Sequence, residues 1–227
     1  MRLVIWGLIG AVTGFSVIFL TDAIQLDIDF LSVAYEGNII LTALTFLLLI
    51  YSAFNILIMR KKMRLNVSGE EEDAKDVWIY KKFSDTNFAS VVGLVTGIAA
   101  FALSLITVQP FWVILTSAIA AFLACMFTIV VPSLINTFYP ERNLPAVSEK
   151  NYGKKLLAAS DEGERHVMLE GLYRSYTLLN AALVLSLLLL MVYSIMTEVS
   201  QLFAIFLIGA VLIGGNAQYY LVIRNRS

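Results

Sequence analysis

The stretch Ile39-Ile-Leu-Thr-Ala-Leu-Thr-Phe-Leu-Leu-Leu-Ile-Tyr-Ser-Ala-Phe-Asn-Ile-Leu-Ile-Met59, closed by Arg60-Lys-Lys-Met-Arg64, decides the fold of this chain. It runs for 21 residues without Asp, Glu, Lys, Arg or His. Wound as an α-helix rising about 1.5 Å per residue, it is long enough to cross a hydrocarbon core about 30 Å thick. The basic run at its end marks the side on which it stops.

Five further segments of the same kind follow from this reading: Leu3 to Leu20, Phe88 to Thr107, Phe111 to Val131, Leu178 to Met196 and Leu202 to Ile223. The expected fold is all-α, a six-span membrane protein built as three helical hairpins in one membrane domain, 1–227. All 16 Lys and Arg residues fall on one side of these spans: Arg2, the stretch Arg60 to Lys82, the stretch Arg142 to Arg174, and Arg224 with Arg226. The positive-inside rule makes that side cytoplasmic, with both termini on it, and the expected location is a bacterial plasma membrane. The outer side carries only Asp22, Asp27, Asp29, Glu36 and Glu198.

Composition sets limits. The chain is 59% hydrophobic and 15% charged, against roughly a quarter charged in soluble domains. The acidic run Glu70, Glu71, Glu72, Asp73 and Asp76 neutralises much of the first inner loop, so no basic surface for direct nucleic-acid binding is expected. Cys125 is the only cysteine; it reads as a small packing residue, and no intramolecular disulfide is possible. The first apolar segment reads as a retained helix, because only Arg2 precedes it and no small-x-small site follows at Thr21-Asp-Ala-Ile24.

Gly10 with Gly14, and Gly93 with Gly97, form small-xxx-small pairs that let another helix approach closely. Packing within one chain is the plain reading, and a homo-oligomer face is the alternative. The links Val108 to Pro110 and Thr197 to Gln201 are so short that the helices they join are antiparallel neighbours. Only the link Thr21 to Asn38 is long enough to hold structure of its own. Tyr80, Lys81, Phe83, Ser84 and Asn87 match Tyr173, Arg174, Tyr176, Thr177 and Asn180 at a constant offset of 93. Parallel repeats over 77–131 and 170–223 would explain the match; chance likeness between two amphipathic lead-ins explains it nearly as well.

Those lead-ins carry most of the chemistry. Ser160, Asp161 and Glu164 supply an N-cap and an acidic first turn, and Met168, Leu172 and Tyr176 then recur at four-residue spacing, giving an amphipathic helix that runs into the fifth span. Val77, Trp78, Tyr80 and Phe83 do the same before the third. Anchoring at the membrane interface is one reading of the aromatics. The other is a docking surface for a cytoplasmic protein, formed with acidic Glu70 to Asp73 and basic Lys154, Lys155 and Arg165, with Tyr80, Lys81, Asp161, Glu164, Arg165, Tyr173 and Arg174 as contacts.

The segments Trp78-Ile-Tyr-Lys-Lys-Phe-Ser-Asp, Tyr139-Pro-Glu-Arg-Asn-Leu-Pro and Asp161-Glu-Gly-Glu-Arg-His-Val-Met-Leu-Glu-Gly-Leu-Tyr-Arg-Ser-Tyr resemble the domain of unknown function 3169 family of Gram-positive bacterial membrane proteins. The likeness covers most of the chain. It implies a multi-span plasma-membrane protein with no assigned activity and no catalytic residues to carry over. A frequent setting beside small helix-turn-helix regulators implies a membrane-bound modulator of transcription.

No enzyme is expected. The six spans hold no Asp, Glu, Lys, Arg or His for acid-base work. His166 has no second His or Cys at ligand spacing and reads as a solvated helix residue, so neither a metal nor a cofactor is expected. A divalent cation held by Asp22, Asp27, Asp29 and Glu36 is the weaker reading of the outer link. Thr42, Thr45, Asn55, Ser104, Thr116, Ser117, Asn180, Ser186 and Asn216 read as interhelical hydrogen-bonding glue. The functional expectation is a regulatory or protein-interaction membrane protein. The alternatives are a transporter component for an uncharged or lipid-like solute moving along that polar seam, and a toxin-immunity protein using the outer link.

The topology is checked by cysteine labelling in a Cys125→Ala background. Single cysteines at Ile28 and Val199 should react from outside, whereas those at Ser68, Lys150 and Arg226 should react only after permeabilisation. External labelling at Lys150 would require a different span count.

Overall fold

The computed structural model describes residues 33–65, 68–139, 145, 149–197 and 199–224. The expected first span with Gly10 and Gly14, the acids Asp22, Asp27, Asp29 and Glu198, and Arg2, Arg142 and Arg226 lie outside them. The described residues form seven helices: α1 (Ala34–Met63), α2 (Glu70–Ile106), α3 (Phe111–Ser133), α4 (Ile135–Phe138), α5 (Tyr152–Ala159), α6 (Glu162–Thr197) and α7 (Leu202–Arg224). Five of these, α1, α2, α3, α6 and α7, are long and apolar enough to cross a membrane. They divide into two compact units, 33–160 and 161–224.

Helix ends depart from span ends for a simple reason. Hydropathy measures bilayer thickness, whereas a helix continues until its backbone is broken. Thus α1 begins at Ala34, which shortens the outer link expected to run to Asn38. Both lead-ins are continuous with the spans they precede, in α2 (37 residues) and α6 (36 residues).

The first unit is a three-helix bundle of α1, α2 and α3. Its buried positions on α2 include Ile79, Phe83, Thr86, Ser90, Gly93, Gly97, Ala100 and Ser104, in alternating steps of four and three, with Ala89 buried beside Ser90. On α1, Asn38, Thr45, Ser52 and Met59 recur every seven residues, and on α3 the buried set is Val113, Ser117, Ala120, Ala124 and Val131. This is the 3.5-residue repeat of left-handed coiled coils, with small and polar residues where a soluble coil would carry leucine. Lipid tails give no advantage to burying large apolar groups, so close backbone approach holds the helices instead.

Helices α1 and α2 run antiparallel in one register throughout. Gly37 faces Leu103, Leu48 faces Gly93, Thr45 bonds Thr96 and Lys62 covers Trp78; the numbers in each pair add to 140 or 141. At the end carrying Arg60, Lys61, Lys62 and Arg64, hereafter the basic end, the bundle opens around larger residues: Met59, Ile79, Phe83, Val131 and Phe138. Phe138 reaches this cluster because Pro132 cannot donate a backbone hydrogen bond. Helix α3 ends at Ser133, and α4 carries Phe138 edge-on to Phe83, with ring centroids 6.1 Å apart.

Cys125 is exposed, which corrects the expectation of a packing role. Its neighbour Ala124 takes the inward position, and one residue on, about 100° around the helix, the side chain points away from the seam. The second unit is the α6–α7 hairpin, in which no residue is fully buried.

The two glycines of α2 differ in what surrounds them. A Cβ at Gly97 would lie 3.0 Å from the Ala121 backbone and 3.3 Å from Thr45 Cγ2, whereas one at Gly93 would meet Leu48 Cβ at an ordinary 3.7 Å. Gly97→Ala should therefore lower the melting temperature in detergent, with a cost of about 1–3 kcal/mol for overpacking. Gly93→Ala should be close to neutral. Equal effects at the two positions would contradict this packing.

Candidate functional site

Chemistry-bearing side chains gather in three places: the basic end of α2, the lead-in of α6, and the polar seam inside the three-helix bundle.

At the basic end of α2, Gly69 takes a positive φ (68°) as N-cap, and Glu70, Glu71, Glu72 and Asp73 fill the first turn. Their charge complements the positive end of the helix dipole, so the acidic run has a structural use before any partner is considered. Further along, the Lys62 ammonium lies 4.1 Å from the centre of the Trp78 ring, and the Tyr139 hydroxyl donates to the Asp76 carbonyl at 3.0 Å. These contacts tie α1 and the chain after α4 to α2. Tyr80 and Lys81 stay exposed, Tyr80 at 56%.

Helix α6 starts with a reciprocal cap. The Glu164 amide donates to Asp161 Oδ1 at 2.7 Å, and the Asp161 amide reaches toward Glu164 Oε2 at 3.4 Å. This capping box satisfies two donors that the first turn would leave unpaired. Asp161 and Glu164 are thus engaged in building the helix, and Arg174 pairs with Glu170 one turn before it. Tyr173 is exposed, as are Arg165 and His166. Of the sequence-derived contact residues, the structure groups Tyr80 with Lys81 on α2, and Asp161, Glu164, Arg165, Tyr173 and Arg174 along α6.

Where α6 passes from its lead-in to its apolar part, Tyr176 and Asn180 clasp α7. The Tyr176 hydroxyl donates to Asn216 Oδ1, and Asn216 Nδ2 donates to Asn180 Oδ1 at 2.6 Å. Asn180 Nδ2 donates to the Tyr176 carbonyl at 2.8 Å, the same i to i−4 bond that Asn87 makes to Phe83 in α2. Tyr219 stacks on Tyr176, with ring centroids 5.0 Å apart.

Inside the three-helix bundle, polar residues pair across helices. Asn38 Nδ2 donates to Gln109 Oε1 at 2.8 Å; Gln109 Nε2 donates to the Ala34 carbonyl at 3.0 Å and to the Thr107 hydroxyl at 2.9 Å. The Thr45 and Thr96 hydroxyls meet at 2.9 Å, those of Ser104 and Ser117 at 3.1 Å, and the Thr128 hydroxyl donates to the Ser90 carbonyl at 3.3 Å. Two buried atoms break the pattern: Ser52 Oγ and Asn55 Nδ2 have no hydrogen-bond partner. Each unmade bond of this kind costs about 1–3 kcal/mol.

Sequence reasoning missed Gln109, which lies in the turn between α2 and α3 and fastens it to the start of α1. It also missed Ser52. The seven-residue recurrence of Asn38, Thr45 and Ser52 was the available signal. Among the described residues, no group of three or more His, Cys, Asp or Glu is placed to hold a metal ion; Glu36 is the only described member of the outer acidic set.

Asp161→Ala should remove the α6 cap at a cost of about 1 kcal/mol. The effect should appear as faster backbone hydrogen exchange confined to residues 161–166, with the Tyr176–Asn216 clasp unaffected. Exchange unchanged in that turn would show that the cap does not hold it.

No curated protein and no solved structure matches the chain. The family described as protein of unknown function (DUF3169) matches residues 1–223, nearly the whole length. The chain is a member of that family.

Proposed function

We propose that this is a plasma-membrane protein that acts by binding a cytoplasmic protein through the charged lead-ins of α2 and α6, with both termini on the cytoplasmic side. One observation carries the reading. Two exposed pairs of an aromatic and a basic side chain lie on two helices of nearly equal length, 37 and 36 residues, each continuous from its charged lead-in to its apolar part. Tyr80 with Lys81, and Tyr173 with Arg174, sit at matching positions on them. A stiff helix holds such residues at low entropic cost, and paired aromatic and basic side chains suit an interface with an acidic protein surface. A modulator of a transcription regulator is a form of this function that fits a membrane protein whose spans carry no Asp, Glu, Lys, Arg or His.

A second reading, passage of an uncharged solute, is favoured by a different observation: the polar seam of the three-helix bundle with its two unpartnered groups.

The test of the first reading avoids Glu164, whose carboxylate belongs to the α6 cap. Lys81→Glu combined with Tyr173→Ser should leave insertion and melting temperature unchanged. It should weaken crosslinking to the cytoplasmic partner by about tenfold at low salt and by less at high salt, as expected for a charge-steered contact. Recovery of the same partner at the same level by the double variant at low salt would remove the support for this reading.

A further inference from the structure

Among the described residues of the three-helix bundle, Ser52 Oγ and Asn55 Nδ2 stand apart as buried side-chain polar atoms without a hydrogen-bond partner. Ser52 is 0% exposed and Asn55 3%. They lie three residues apart on the inward stripe of α1. The α1–α2 register places Asn55 level with Thr86 and Ser52 level with Ala89, beside Ser90. Thr86 and Ser90 are also buried, and their hydroxyls donate to the carbonyls of Lys82 and Thr86 on their own helix. That leaves their oxygens able to accept. Four polar side chains are thus gathered at one level of the seam, with two donors unused and two acceptors open.

Neither orphan atom is accessible to solvent, so the state described here is closed at this level. Its two boundaries differ in kind. Toward the middle of the bundle, Gly97 sits against the Ala121 backbone and Thr45, where nothing can move without parting the helices. Toward the basic end, the boundary is a cluster of side chains: Met59, Ile79, Phe83, Val131 and Phe138. Met59 is unbranched and readily changes rotamer. Phe138 is held by α4, a four-residue helix after the break at Leu134. The boundary that yields more easily is therefore the one at the basic end.

We propose that Ser52, Asn55, Thr86 and Ser90 form a water-binding point, filled from the basic end when the cluster around Met59 and Phe138 opens. Water fits the chemistry. Both unused donors are neutral, and a buried water makes two to four hydrogen bonds, which this set provides. The nearest cation in the set's own helix, Lys82, directs its ammonium to the face of Tyr51, 5.8 Å from the ring centre, and Tyr51 lies on the outer side of α1 at 40% exposure. No fixed charge in the seam therefore calls for an ionic occupant. The inference stands independently of the partner reading, and it gives the solute-passage reading a specific entry point.

The test is thiol accessibility of the full-length protein in lipid vesicles, in the Cys125→Ala background. Ser52→Cys keeps size and shape; Ser104→Cys, at a buried position paired with Ser117, is the control. A small water-borne methanethiosulfonate should modify Ser52→Cys about tenfold or more faster than Ser104→Cys, as for a site reached by local opening. Adding Asn55→Leu, which removes the unused donor, should abolish that difference. On the chain without introduced cysteines, Asn55→Leu should raise the melting temperature and slow hydrogen exchange of the α1 amides around residues 52–59. Equal modification rates at the two cysteines would overturn the proposal. So would a fast rate at Ser52→Cys that Asn55→Leu leaves unchanged, or a lower melting temperature in Asn55→Leu, since that would make Asn55 a satisfied packing contact.

Discussion

The three-helix bundle depends on the contact at Gly97, where the α2 backbone comes so near α3 that a single Cβ would lie 3.0 Å from Ala121. A membrane offers helices little hydrophobic reason to associate, so dispersion between closely approaching backbones must supply it. That demand sets the residues around it. Gly93, Gly97 and Ala100 on α2, and Ala120 and Ala124 on α3, are all small and buried. The 3.5-residue spacing follows too, because only a repeat near that value keeps one narrow stripe facing its neighbours over seven turns.

Close approach has a second consequence: it leaves no room for unpaired polar groups. Backbones this near each other exclude water, so a hydroxyl or amide in the seam must find a protein partner or remain unsatisfied. Most do find one. Asn38 with Gln109, Thr45 with Thr96, and Ser104 with Ser117 each join two elements, and single hydroxyls such as Thr86 return to their own helix. Interhelical bonds of this kind in membranes are worth roughly 0.6–2 kcal/mol. They fix rotation and register more than they add stability. The exceptions at Ser52 and Asn55 fall where glycine gives way to the larger residues around Met59 and Phe83.

Much of this was legible in the sequence, for identifiable reasons. Apolar runs such as Ile39 to Met59 read as helices because a span must be long and free of charge. The α6 cap was readable because Asp161 and Glu164 stand three apart before a periodic run. Other features depended on distances that no local pattern encodes. Cys125 and Ala124 are equivalent to a composition argument, yet one faces outward and the other into the seam. Gly93 and Gly97 look alike as a pair, but only Gly97 touches a backbone. Gln109 lies in a three-residue turn that reads merely as short, and its bonds to Asn38 and Ala34 join residues more than 70 positions apart. The contact role proposed for Tyr80 and Tyr173 rests on exposed chemistry rather than on fold, and both side chains are exposed.

The two hairpins of long helices are alike in outline and differ in what fastens them. Helices α2 and α3 have 37 and 23 residues; α6 and α7 have 36 and 23. Asn87 and Asn180 make the same bond to the carbonyl four residues back. In the first hairpin, however, Phe83 sits in an apolar cluster, and small residues bring the helices together along much of their length. In the second, Tyr176 stands at the matching position, and its hydroxyl engages Asn216. The difference between a phenyl and a phenol ring thus accompanies a change from continuous close packing to a local polar clasp. Within the α6–α7 hairpin that clasp lies directly beside the charged lead-in, with Tyr173 and Arg174 within one turn of Tyr176.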